Sequence, residues 1–143
     1  MLWPRWLKRK EPKLNRIARC CCEACEIEVA GEPVLNAVCH CDNCKRRTGS
    51  AFGWSAYFAD DAIVARRGEL ARFEPNYAAR PTRYFCVACG ATLCWTSEVF
   101  MPGHTGIAGG CFTATPLGEP TVTATDQKRC AWLGLPQAWF ASP

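Results

Sequence analysis

The sequence offers its chemistry in three cysteine groupings: Cys20-x-Cys22, Cys39-His40-Cys41-Asp42-Asn43-Cys44 and Cys86-x-x-Cys89-Gly90. Close cysteine pairs from two distant segments are the usual way to assemble a four-thiolate zinc site, so Cys20, Cys22, Cys86 and Cys89 are expected to hold a structural zinc. Glycine directly after Cys89 suits a knuckle, because it allows the left-handed turn that aims backbone N–H groups at the sulfurs. The middle grouping supplies three thiolates within six residues and has no obvious fourth partner. Three protein ligands and an open position are the pattern of a catalytic zinc, which can deprotonate and orient a soft ligand such as a thiol. Cys39, Cys41 and Cys44 are therefore the candidate catalytic ligands.

Each grouping has a plainer reading beside it. Cys22-Glu23-Ala24-Cys25 is also a C-x-x-C and could replace Cys20/Cys22. Cys25, however, alternates with Ile27 and Val29 on the apolar face of a strand, as a core residue would. His40 stands between two ligands in a C-x-C, where side chains generally point away from the metal. Cys21, Cys94, Cys111 and Cys130 read as bystanders or small packing residues. Lys45-Arg46-Arg47 can complement a helix C-terminus and face water, or hold the carboxylates of an anionic thiol beside an open zinc.

The elements that must position these groups are short. Residues 25–29 alternate as a strand, Ala30-Gly31-Glu32-Pro33 turns, and Val34 to Cys39 reads as the returning arm of a hairpin. That hairpin predicts the 20–22 and 39–44 groupings near one end. Asp42 can cap one or two helical turns that Gly49 ends. Residues 52–58 alternate as a strand, 63–65 and 70–73 suggest another hairpin, and strands are predicted at 82–85, 92–96 and near 107–112. The fold class is mainly β, with small antiparallel sheets and hairpins stapled by zinc and at most short helices.

Length and composition narrow the classes further. One compact domain is expected from 143 residues, of which 49% are hydrophobic and 21% charged. Twelve cysteines would suit a secreted disulfide scaffold. Yet residues 1–19 lack the apolar stretch of a secretory signal and no segment is apolar enough to span a bilayer, so a cytoplasmic protein with reduced thiols is expected. The net charge of +4 comes from the N-terminus: residues 1–19 hold seven basic side chains against Glu11, and the remainder hold ten basic against twelve acidic. Residues 1–17 read as a basic, disordered leader and 18–143 as the zinc-binding domain. A slightly acidic body argues against a nucleic-acid module, and no membrane partner is expected.

Taken in order, Cys20-x-Cys22, Cys39-His40-Cys41-x-x-Cys44-Lys45-Arg46-x-x-Gly49-Ser50-Ala51-Phe52, Arg83-x-Phe85-Cys86-x-x-Cys89-Gly90-x-x-Leu93 and Leu135-Pro136-Gln137 resemble the glutathione-dependent formaldehyde-activating (GFA, centromere-protein-V-like) family over about residues 18–140. The resemblance implies an Mss4-like fold with two Zn2+ per chain, the structural one on Cys20, Cys22, Cys86 and Cys89 and the catalytic one on Cys39, Cys41 and Cys44. It also favours Cys22 over Cys25. The implied activity is that of a carbon–sulfur lyase or synthase acting on a thiol–aldehyde adduct, with glutathione and formaldehyde giving S-hydroxymethylglutathione. Lys45, Arg46 and Ser50 are the candidate substrate-binding residues. The chain departs from the family at Cys111-Phe112-Thr113-Ala114, where paired aspartates are common, and at Thr123, where histidine is common. The alternative is a non-catalytic module with two structural zincs and a basic tail for nucleic acid or an acidic partner, which needs a fourth ligand such as His104, Cys111 or Cys21.

Overall fold

The computed structural model describes residues 13–143. Most of the expected leader, residues 1–12, lies outside the described residues. Residues 15–17 belong to the first strand, β1 (Asn15–Arg19). Arg16 is only 6% exposed, donates to Gly31 O at 3.0 Å and pairs with Glu32 at 2.9 Å.

β2 (Glu26–Ala30) shows the alternation of its sequence, with Ile27 and Val29 buried. It lies between β1 and β5 (Ile63–Arg67), antiparallel to both, in a three-stranded sheet. On its other face Glu26 pairs with Arg19 at 2.8 Å and Arg67 at 3.0 Å, one from each neighbouring strand.

The other strands are β3 (Leu35–Cys39), β4 (Gly53–Ala59), β6 (Leu70–Phe73), β7 (Thr82–Cys86), β8 (Thr92–Thr96), β9 (His104–Ala108), β10 (Val122–Ala124) and β11 (Phe140–Ser142). They form an eight-stranded sheet in the order β11-β10-β3-β4-β9-β8-β7-β6. Its pairings are antiparallel except at β10, which runs parallel to both β3 and β11. Two expected hairpins are corrected here. β2 and β3 lie in different sheets, as do β5 and β6: β2 pairs with β1 before it and with β5, whereas β3 pairs with β4 after it and β6 with β7. The late strand lies at 104–108, ahead of the expected 107–112.

Inward residues of both sheets meet in one core, where Ile27 and Val29 join Phe58, Leu93 and Ile107. Burying each such side chain contributes about 1.5–3 kcal/mol. Phe112 closes the core against Phe58, with ring centroids 6.0 Å apart. The short helix α1 (Asp42–Thr48) connects β3 to β4. Its cap is Cys41, not Asp42: the Cys41 Sγ accepts from the Cys44 N–H at 3.4 Å, and Gly49 ends the helix at φ 61°.

Candidate functional site

Two turns bring four cysteines together. After β1 the chain folds back on itself, with the Glu23 N–H donating to Cys20 O at 3.0 Å and the Cys20 N–H to Cys25 O at 3.1 Å. After β7, the Gly90 N–H donates to Cys86 O at 2.8 Å and the Cys86 N–H to Ala91 O at 3.0 Å. The sulfurs of Cys20, Cys22, Cys86 and Cys89 consequently lie within 4.8 Å of one another. Cys20–Cys22 and Cys22–Cys86 are each separated by 3.7 Å. A tetrahedron with Zn–S bonds of about 2.3 Å has S–S edges of about 3.8 Å, so the quartet has the size of a zinc site. Cys25 stands apart from it: buried in the core, its Sγ donates to Glu69 O at 3.2 Å, and burial pushes its thiol up to about 11.

The second cluster forms where β3 runs into α1. Cys39 ends the strand, Cys41 caps the helix and Cys44 follows in its first turn. Their sulfurs lie within 4.8 Å of one another, and among the described residues no histidine, carboxylate or further cysteine joins them. The protons are held unequally. Cys39 is lowered to about 5, first by its hydrogen bond with Cys44, whereas that same bond and then burial push Cys44 up. A cation able to take three thiolates would displace the remaining protons. His40 points away: its Nε2 lies 2.9 Å from Thr123 Oγ1, it is fully buried, and burial pushes its pKa down.

Cys39 and Cys44 open onto a cleft of about 600 Å³, whose apolar wall includes Leu35, Ala37, Phe100 and Val122. A smaller cavity of about 90 Å³ also reaches Cys44 and is lined by Arg47 and Arg83. Ser55 and Tyr57 of β4 line both spaces. Tyr57 Oη accepts a hydrogen bond from Trp95 Nε1 at 2.9 Å, and burial raises its pKa. Gly106 of β9 makes room for that indole, since a Cβ there would stand 2.2 Å from Trp95 Nε1.

The substrate residues expected from sequence fall elsewhere. Lys45 reaches over to donate to Lys128 O at 2.5 Å, Arg46 is exposed, and Ser50 lines a separate cavity together with Cys111. None of the three lines a space that opens on Cys44. Arg47, Arg83 and Tyr57, which do line such a space, were not singled out in the sequence. For Arg47 the signal was available, because positions three apart share a helix face and Cys44 lies three residues earlier. The fourth ligands that a second structural zinc would need are also absent from the cluster: Cys111 lines the cavities around Ser50 and Cys21, while His104 Nδ1 lies 3.0 Å from Pro102 O.

The family described as glutathione-dependent formaldehyde-activating enzyme matches residues 15–127. The chain belongs to the GFA family. A crystal structure of a Rhodobacter sphaeroides protein is similar to it with a TM-score of 0.53 and 23% identity, covering 68% of this chain and 86% of that one, which supports the fold alone. No curated protein sequence matches the chain significantly. The mainly β, Mss4-like architecture of the GFA family agrees with the two sheets and single α-helix found among the described residues. Both cysteine clusters of this GFA domain could hold a metal ion. No helix of the described residues is long and apolar enough to cross a membrane.

Proposed function

We propose that the chain is a zinc-dependent carbon–sulfur lyase or synthase that joins a thiol to an aldehyde, with glutathione and formaldehyde as the pair suggested by its family. The observation that carries this reading is the contrast between the clusters: four sulfurs make one self-sufficient, while the other has only three, and two of its cysteines, Cys39 and Cys44, line a 600 Å³ cleft of ligand size. Zinc, when bound by Cys39, Cys41 and Cys44, supplies a Lewis acid that lowers the pKa of a thiol. Cys20, Cys22, Cys86 and Cys89 would hold the structural ion.

The chain's own residues orient the reactants and handle the oxygen. In the forward direction a sulfur–carbon bond forms as the carbonyl π bond breaks, the thiol loses its proton and the carbonyl oxygen gains one. Tyr57 is suited to that oxygen. Its own oxygen already accepts from Trp95, so the phenol hydrogen is free to donate into the cleft, and a raised pKa keeps it protonated near neutrality. The apolar wall limits water around the adduct, which slows competing hydration of the aldehyde.

The test uses zinc-loaded protein in an equilibrium mixture of formaldehyde and glutathione, followed by exchange NMR. Adduct formation and breakdown should accelerate with the protein and not with a Cys44→Ser variant. Equal exchange rates with and without protein, at full zinc occupancy of both sites, would remove the enzymatic reading.

A further inference from the structure

We propose that the small cavity beside Cys44 is a carboxylate subsite, and that the thiol taken by the cleft is an anion whose carboxylate lies between Arg47 and Arg83. This deepens the functional reading above and rests on it for the thiol, though not for the carboxylate.

The two guanidinium groups arrive from different elements. Arg47 lies one turn beyond Cys44 on α1, and its guanidinium carbon stands 4.3 Å from the centroid of the Trp95 ring. Stacking on an indole fixes the plane of an arginine while leaving its N–H edge available. One terminal nitrogen, Nη2, is buried without a hydrogen-bond partner, and Gly53 provides its space, since a Cβ there would stand 2.5 Å from it. Arg83 comes from β7 and donates to the Asn43 Oδ1 of α1, so its head is turned toward the same cavity.

Nothing acidic answers these charges. No aspartate or glutamate lines the cavity, and neither arginine takes part in a salt bridge among the described residues. Three thiolates exceed a dication by one negative charge, which one guanidinium balances and the other does not. Burial, followed by the like charge of Arg47, pushes the Arg83 pKa down, as expected of a cation that lacks an anion. Both arginines line the cavity, and a carboxylate placed there would accept charge-assisted bonds from the guanidinium edges that face it.

Size and position define the ligand class. At about 90 Å³ the cavity takes one compact anionic group and not a whole peptide. It meets the 600 Å³ cleft at Cys44, Ser55 and Tyr57, so the body of the ligand would lie along the apolar wall. The molecule described is a thiol with a carboxylate a few bonds from its sulfur.

The experiment separates the carboxylate from the thiol. Zinc-loaded protein is titrated with glutarate and with glutaramide while the Trp95 indole N–H resonance, assigned through Trp95→Phe, is followed by NMR. Glutarate should shift it saturably and glutaramide should not, and Arg83→Gln and Arg47→Gln should each weaken glutarate at least tenfold. A second arm compares 3-mercaptopropionate with its amide, where the same variants should weaken the acid at least tenfold and leave the amide within twofold. Equal responses to glutarate and glutaramide, or a glutarate affinity unchanged in both variants, would overturn the subsite. If Arg83→Gln does not fold, Arg47→Gln and Arg83→Lys give the decision, the lysine variant losing the two-pronged contact and weakening glutarate. Glutarate binding without any acceleration of thiol–aldehyde exchange would sustain the subsite and defeat the enzymatic reading; acceleration with no glutarate binding would do the reverse.

Discussion

His40 and Thr123 are locked together across the base of the three-cysteine loop, His40 Nε2 lying 2.9 Å from Thr123 Oγ1. The Thr123 hydroxyl spends its single hydrogen on Asp126 Oδ1 at 2.8 Å, so it must accept from His40, which places the imidazole proton on Nε2. A residue between two candidate ligands is thus tied to β10, and the loop carrying Cys39 and Cys41 is anchored with it. Thr123→Val should leave a buried N–H unpaired, at a cost of about 1–3 kcal/mol. Chelator competition should show weaker metal binding at the three-cysteine cluster and unchanged binding at the quartet, and Thr123→Ser should restore both.

The two clusters should respond differently to the loss of one thiol. Cys86 is buried and joins β7 to the turn after β1, so Cys86→Ser should remove a tie between segments 64 residues apart and lower the melting temperature sharply. Cys44→Ser should lower the metal content from two ions to one and leave the protein folded. Native mass spectrometry together with thermal denaturation reads both outcomes.

The cysteine clusters were legible in the sequence because ligand spacing is local, and C-x-C and C-x-x-C act within a few residues, whereas the helix cap fell on Cys41 one residue before the expected Asp42. The partners of strands were not. The 25–29 and 34–39 segments satisfy every short-range requirement of a hairpin, yet β2 pairs with β1 and β5 while β3 pairs with β4 and β10. Pairing is decided by which apolar faces can share a core, and that competition runs over the whole chain. Lys45 and Arg46 were singled out ahead of Arg47 because a run of basic residues does not show which member faces the cluster. A helix turns about 100° per residue, so adjacent basic residues face different ways, and only Arg47 shares a face with Cys44. Arg83 lies 40 residues from Asn43, the residue it bonds, and no local pattern announces it.

Glu26 provides a pH-dependent contribution in the small sheet. Arg67 first, then Arg19, hold its carboxyl down at about 2. A depressed carboxyl contributes stability that is present above its unfolded value of about 4.3 and is lost as pH falls through the folded value. Glu26→Gln should therefore be less stable than the parent at pH 7, with the difference closing between about pH 4.3 and 2. Any metal held by cysteine thiolates would leave both proteins alike in acid, so the difference between their denaturation midpoints at each pH is the measurement that carries the ion pair.

Tyr57 is the group whose removal should slow the reaction with the least damage to the cluster. Tyr57→Phe keeps the ring that packs edge-on to Trp95 and Phe100, and removes only the oxygen. The Trp95 N–H loses its acceptor, which should cost about 1 kcal/mol of stability and leave zinc content at two. If the phenol donates to the aldehyde oxygen as charge develops there, exchange between thiol and adduct should fall by about 10²-fold, the low end for a positioned proton donor. Binding should hardly change, because that hydrogen bond is strongest after the carbonyl begins to open. A variant that exchanges as fast as the parent would assign the oxygen to Ser55 or to water, and a variant that loses zinc would make Tyr57 a support for the cluster.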